Sequence, residues 1–393
     1  MHAEHWIDTS AEEITAFFWL LLLAGICQRK REATIELWSA DRPEFQRPVF
    51  LATMSRNRFN EILRYIRFDD TRTRQERKKT VKAAAVSEVF DMFVKNCKAS
   101  YVPHGEVCVD EHLMSFRGRC PFRVYMKSKP DRFGVKMWML CDVRTGYIWC
   151  VQIYTGKICQ KLEREQRKQV VLDLASDLGP GCGITTDNFF TSLDLARALL
   201  AQKKTLLGTI RQRCKEVPKE LWPNKTRAEY STLFLYMEQC MLTSYVPKKG
   251  CAVVILSSQH CGNCVSGEET KFKPQVICDY NKTKGAVDTV DKMLKDYSWR
   301  RRTIRWPLAV VMDMLDMTII NSYVLQLRIG PTSEEGTSSR AETTPTNSVP
   351  KRGGSKDRKT LYRCATCNRF IFQVHAVKVE TLFCTECPVT HEE

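Results

Sequence analysis

Gly134-Val135-Lys136-Met137-Trp138-Met139-Leu140-Cys141, then Asp142-Val143-Arg144-Thr145-Gly146, then Tyr147-Ile148-Trp149-Cys150-Val151-Gln152-Ile153-Tyr154 is the stretch on which the fold turns. Two apolar runs flank five residues of turn-forming character, which predicts a β-hairpin. Upstream, residues 106–110 are short and β-rich. Downstream come a charged helical stretch over 161–177 and a short strand ending Ile184-Thr185-Thr186-Asp187. A helix over 191–202 and another strand over 205–210 follow. Three strands followed by alternating helix and strand predict an α/β fold, a mixed sheet with helices on its faces.

Further out the rhythm changes. Residues 212–284 hold Pro218, Pro223, Pro247 and Pro274 among short β-like runs, so they read as an inserted β-rich subdomain. Helical spacing resumes over 284–294 and 307–327, where Pro307 suits a helix start. Residues 1–104 read as mostly helical, with a polar, basic loop around 70–82. Within them Ile14-Thr15-Ala16-Phe17-Phe18-Trp19-Leu20-Leu21-Leu22-Leu23-Ala24-Gly25-Ile26-Cys27 is too short to span a bilayer, which takes about 20 apolar residues. It follows Glu12-Glu13 rather than a basic segment, so no secretory leader is expected. Ser10-Ala11-Glu12-Glu13 has capping-box spacing, and the stretch is read as a helix buried on most faces. Residues 330–360 are rich in Ser, Thr, Pro, Gly and charge, a linker composition. Residues 361–393 form a small cysteine-bearing tail.

The chain of 393 residues carries 61 Lys and Arg against 45 Asp and Glu, a net charge of +16. Its hydrophobic content of 43% rules out a wholly disordered chain, and the positive balance points to a polyanionic partner, nucleic acid first. Eighteen cysteines spread over this length fit a reducing compartment with most thiols free.

Four acids are candidate functional groups. Asp110 and Asp187 end predicted strands, and Asp288 and Asp291 lie three residues apart on one helix, hence on one face. Carboxylates converging from separate elements make an oxygen-rich site for Mg²⁺ or Mn²⁺, and two such ions suit phosphodiester chemistry. Spacing alone leaves open that each is an ordinary turn or surface Asp, as Asp142 is. Glu111 is sent to the opposite strand face from Asp110.

The context of these acids is more specific. Val109-Asp110-Glu111-His112-Leu113-Met114-Ser115-Phe116-Arg117-Gly118-Arg119-Cys120-Pro121-Phe122-Arg123, continued by Lys129-Pro130-Asp131-Arg132-Phe133-Gly134-Val135-Lys136, resembles the first catalytic block of the piggyBac transposase family. Thr185-Thr186-Asp187-Asn188-Phe189-Phe190-Thr191-Ser192 resembles the second, and Tyr280-Asn281-Lys282-Thr283-Lys284-Gly285-Ala286-Val287-Asp288-Thr289-Val290-Asp291 the third. Arg300-Arg301-Arg302-Thr303-Ile304-Arg305-Trp306-Pro307 is similar to the basic stretch that follows. The resemblance covers about residues 11–328 and then the tail.

This resemblance implies an RNase H-like catalytic core over 105–211 and 285–298, interrupted by the insertion at 212–284. Flanking helices, 1–104 and 299–329, would serve dimerisation and DNA binding. It implies cut-and-paste movement of DNA into TTAA sites through hairpinned ends, by a homodimer in the nucleus, with no membrane involved. The catalytic Asp triad falls on Asp110, Asp187 and Asp288, and the additional essential Asp on Asp291, with Mg²⁺ or Mn²⁺ as cofactor. Dications would keep these acids ionised.

Cys364-Ala365-Thr366-Cys367 and Cys384-Thr385-Glu386-Cys387 are two CxxC pairs at a structural-zinc spacing. They resemble the family's DNA-end-binding cysteine-rich domain. That domain usually continues further, so one Cys₄ zinc is expected here and not the double site. A second group, Cys251, His260, Cys261 and Cys264, reads as ordinary thiols. The Arg run, Arg300, Arg301, Arg302 and Arg305 between Trp299 and Trp306, is read as phosphate contact with Trp available to stack on bases. Alternatively it is a solvated face with Trp anchoring the next helix. Arg117, Arg119, Arg123, Lys127 and Lys129 would neutralise phosphates near the metals.

Overall fold

The computed structural model describes residues 6–26, 32–39, 47–127, 129–156, 163–237 and 239–329, and the strand pair Tyr362–Arg363 and Phe370–Ile371. Met1–Thr332 form one compact unit and Ser333–Glu393 a second. The expected linker and all four zinc-ligand candidates, Cys364, Cys367, Cys384 and Cys387, lie outside the described residues.

The predicted hairpin is β3 (Phe133–Asp142) and β4 (Ile148–Ile153), paired antiparallel. Asp142 makes the turn. Its carboxylate accepts from the backbone N–H groups of Arg144 and Thr145, each at 2.9 Å, and of His104 at 2.6 Å. Gly146 supplies the left-handed conformation, at φ 73°, that closes it.

Around the hairpin the strands are β1 (Glu106–Ser115), β2 (Arg123–Tyr125), β5 (Gly183–Thr186), β6 (Thr205–Thr209), β7 (Thr232–Met237), β8 (Cys240–Lys248) and β9 (Cys251–Ser257). The sheet order is β2-β3-β1-β5-β6-β9-β8-β7, with β4 also on β3. β1 is antiparallel to β3 but parallel to β5, and β5 is parallel to β6, so the sheet is mixed. The strands of the 212–284 stretch continue this same sheet: β9 pairs antiparallel with β6 through Leu207↔Ser257, Gly208↔Leu256 and Thr209↔Ile255. After Pro274 the stretch turns helical, as α9 (Gln275–Thr283).

Helices cover both faces. On one, α7 (Glu163–Leu174) and α8 (Leu193–Ala201) pack Val171, Leu174, Leu195 and Leu199 against Val107, Val109, Leu140 and Ile184. On the other, α6 (Ser87–Ala99), α10 (Ala286–Asp296) and α11 (Trp306–Ile329) bury Phe90, Val287, Val290 and Val310 against Cys108, Met114, Met137 and Met139. By length and composition α11 would cross a membrane, yet 67% of its most apolar window is buried in the protein. Asn321 shows why it is a core helix. Its side chain donates to Ile148 O and accepts from Ile148 N, both at 2.8 Å, pinning α11 to β4.

The N-terminal helices are α1 (Ala11–Ile26), α2 (Thr34–Leu37), α3 (Pro48–Thr53), α4 (Arg56–Tyr65) and α5 (Arg74–Thr80). Ser10 Oγ caps α1 by accepting from Glu13 N at 3.2 Å. Phe17, Leu20, Leu21 and Ala24 recur at helical spacing and pack with Trp38, Phe50, Phe59 and Ile62, and with Trp299 and Met312 from beyond the sheet. The α5 segment corrects the loop expected at 70–82. Arg74 and Arg77 both bind the buried Asp69 carboxylate, and these ion pairs fold the basic run into a helical turn.

Candidate active site

Strand alternation builds the site. Cys108, Asp110 and His112 point to the α10 face of β1, whereas Glu111 points to the other, where it accepts from Lys136 Nζ at 2.6 Å. Asp187 follows β5, which lies beside β1 in parallel. The turn after it is tied down: Asp187 O accepts from Thr191 N at 3.1 Å and Thr191 Oγ1 at 2.7 Å, and its carboxylate from Phe189 N at 2.9 Å. Gly208 on β6 permits this close packing, since a Cβ there would stand 2.2 Å from Thr191 Oγ1 and 2.7 Å from Thr186 O.

Helix α10 crosses the same face. Ala286, Val287, Val290 and Leu294 are its buried stripe, which leaves Asp288 and Asp291 on the flank. Burial pushes the Asp110 carboxyl up to about 7, and the charges of Asp187 and Asp288 act in the same direction. Burial also raises Asp187, against the hydrogen bonds from Phe189 and Phe190. Asp110, Asp187 and Asp288 are therefore one electrostatic neighbourhood. Carboxylates have the donor chemistry that hard divalent cations take. Among the described residues, however, no three His, Cys, Asp or Glu side chains form a group that could hold a metal ion. Asp288 is exposed, the outermost of the three.

Asp291 is engaged elsewhere. It accepts from His112 Nδ1 at 2.5 Å and faces Lys129 Nζ at 3.5 Å. The other ring nitrogen, His112 Nε2, lies 3.0 Å from Asp313 on α11. Asp313 in turn binds Arg300 at 2.8 Å, and Arg300 donates to Ser115 O at 2.9 Å. Burial alone would lower the His112 pKa, but the two carboxylates lift it to about 10. The sequence reading missed His112 and Asp313. Their signals were a second polar residue on the Asp110 side of one strand and a pair of acids, Asp313 and Asp316, in an otherwise apolar helix.

The basic candidates divide. Arg300 is bound to Asp313 and β1, Arg301 donates to Glu32 O, and Arg305 donates to the carbonyls of Leu63, Arg64 and Ile66 at the end of α4. These three staple the segment between α10 and α11 to the fold. Arg302 is exposed, as are Arg117, Arg119 and Lys127. Arg123, also exposed, donates to the carbonyls of Arg117 and Gly118, each at 2.8 Å, and shapes that loop. Both tryptophans are packed in the protein: Trp299 is 1% exposed in the N-terminal core, which anchors it there, and the half-buried Trp306 packs edge-on against Phe122 at 5.0 Å. In the Cys251, His260, Cys261 and Cys264 group the thiols are exposed, and His260 is bonded to Ser257 and Asp279.

A protein family described as Transposase IS4 matches residues 1–323. The human PiggyBac transposable element-derived protein 3 is 24% identical over 340 residues, covering 81% of this chain and 56% of the relative. The chain thus spans little more than half the length of that relative. Among solved structures, a piggyBac transposase synaptic complex with hairpin DNA superposes with a TM-score of 0.76 at 34% identity, covering 83% of this chain and 67% of that one. With its acid-bearing strands, its mixed sheet and these matches together, the chain belongs to the piggyBac family of transposases and transposase-derived proteins.

Proposed function

We propose that this protein cleaves and joins DNA strands with divalent cations, as a piggyBac-like cut-and-paste transposase acting at TTAA sites. The observation that supports the reading is that Asp110, on a strand, feels the charges of both Asp187, at the end of the parallel neighbour, and Asp288, on a crossing helix. The order β4-β3-β1-β5-β6, an antiparallel trio running into a parallel pair with helices on both faces, supports an RNase H-like core. Asp110, Asp187 and Asp288 would hold Mg²⁺ or Mn²⁺, which supplies Lewis acidity at the scissile phosphate. The exposed cations Arg117, Arg119, Lys127 and Arg302 bind backbone phosphates and set the register of the duplex. The reading includes a homodimer in the nucleus, and a structural zinc on Cys364, Cys367, Cys384 and Cys387.

The test is strand nicking and hairpin formation on transposon-end duplexes with Mg²⁺ or Mn²⁺. Asp187→Asn is expected to reduce cleavage to background while end binding persists. Wild-type protein that binds ends but leaves them uncut with either ion overturns the reading. A DNA-binding protein without transposition activity then takes its place. The exposed position of Asp288, outside any metal-holding group of three, favours that second reading.

A further inference from the structure

His112 is 5% exposed, lies two residues from Asp110 on the same strand face, and has one carboxylate on each ring nitrogen. Those carboxylates come from different helices, Asp291 from α10 and Asp313 from α11. With a carboxylate at hydrogen-bond distance from each ring nitrogen, the ring bridges the two helices from its place on β1. Aliphatic packing of Val287 and Val290 holds α10 down on the sheet, but it resists sliding along β1 far less than a directional hydrogen bond does. Asp288 is one turn from Asp291, so whatever fixes Asp291 along β1 also fixes where Asp288 stands relative to Asp110.

We propose that His112 is a positioning residue of this site: it clamps Asp291 to β1 so that Asp288 faces Asp110, and Asp291 acts through His112 rather than on a metal ion. Asp313 and Arg300 extend the clamp. They join the same strand to the segment that carries Arg302. The proposal rests on the cleavage reading for its consequence, though not for its geometry.

Asparagine and glutamine separate the two ends of the ring. In full-length protein, His112→Asn keeps a donor near the Nδ1 position toward Asp291, whereas His112→Gln keeps one near Nε2 toward Asp313. Amide hydrogen exchange over α10 is measured without metal, and Mn²⁺ binding by the electron paramagnetic resonance of the free ion. Relative to the Asn variant, the Gln variant is expected to exchange faster along α10. It should also bind Mn²⁺ more weakly by about tenfold or more, the usual cost of losing an outer-shell partner. Asp291→Asn keeps an acceptor for Nδ1 and is expected to follow the Asn variant. Equal behaviour of the two His112 variants overturns the proposal. So does an Asp291→Asn protein that loses Mn²⁺ with α10 exchange unchanged, since Asp291 is then an ion ligand. If wild-type protein neither binds Mn²⁺ nor nicks DNA, the cleavage reading falls by itself, and the α10 exchange comparison still decides whether His112 clamps the helix.

Discussion

At the scale of single residues, buried acids without a full cation partner are where the fold is least relaxed. Asp316 on α11 is 4% exposed and accepts from Trp299 N at 3.2 Å. Burial pushes its pKa up to about 7, and the nearby Asp313 charge adds to the rise, against the hydrogen bond from Ser298. The native state therefore holds a proton that the unfolded chain releases near its ordinary carboxyl value. Stability is highest below that value and falls as pH rises toward 7. Asp316→Asn keeps the acceptor for Trp299 and removes the charge. Urea unfolding is expected to show no gain at pH 4 and a gain on the order of 2 kcal/mol at pH 8. An equal effect at both pH values would mean that packing, not ionisation, sets the difference.

At the scale of elements, α1 rests directly on the segment that follows α10. A Cβ at Gly25 would stand 2.0 Å from Trp299 Cβ and 2.6 Å from its Cα, so the two backbones are in near contact. Gly25→Ala is expected to cost about 1–3 kcal/mol in thermal or chemical unfolding, the range for overpacking. Gly179→Ala, which meets nothing within 4 Å, is expected to stay within about 0.5 kcal/mol of wild type. This contact also marks what the sequence could convey. The helix itself was legible, because Ser10-Ala11-Glu12-Glu13 and the apolar run after it are local signals, but it buries one stripe and not most of its faces, since Trp19 is 57% exposed. Its partner was not legible, since nothing near Gly25 names Trp299. The same holds elsewhere. The β3–β4 hairpin and the placing of Asp187 at the end of β5 followed from turn residues and apolar runs, whereas Asp110, expected at a strand end, lies in the middle of β1, which runs on to Ser115. That β9 would pair with β6, continuing the sheet through the 212–284 stretch, depends on which edge is open, and no local pattern states this. Asp291 was legible as an acid on the face of Asp288, but its capture by His112 needed β1 and α10 in register.

At the scale of the whole molecule, the net charge of +16 cannot be translated into phosphate contacts residue by residue. The fold consumes part of it: Arg74 and Arg77 neutralise Asp69, Arg300 neutralises Asp313, and Arg305 caps the carbonyls at the end of α4. Of the cations the sequence singled out for phosphate contact, Arg117, Arg119, Arg123, Lys127 and Arg302 stay exposed. Neutralising a phosphate releases counterions, so each true contact appears in the salt dependence of binding. Arg302→Ala is expected to weaken end binding and to reduce the slope of log K against log salt by about one. Arg300→Ala has a different signature. It leaves Asp313, 2% exposed, with His112 alone, so the expected loss is in folding stability, about 3 kcal/mol, with the salt slope unchanged. Fluorescence anisotropy over a salt series, paired with urea unfolding, separates the two. A slope lowered equally by both variants would make Arg300 a phosphate contact that also binds Asp313. The segment between α10 and α11 would then be part of the DNA interface itself, and not the support beneath it.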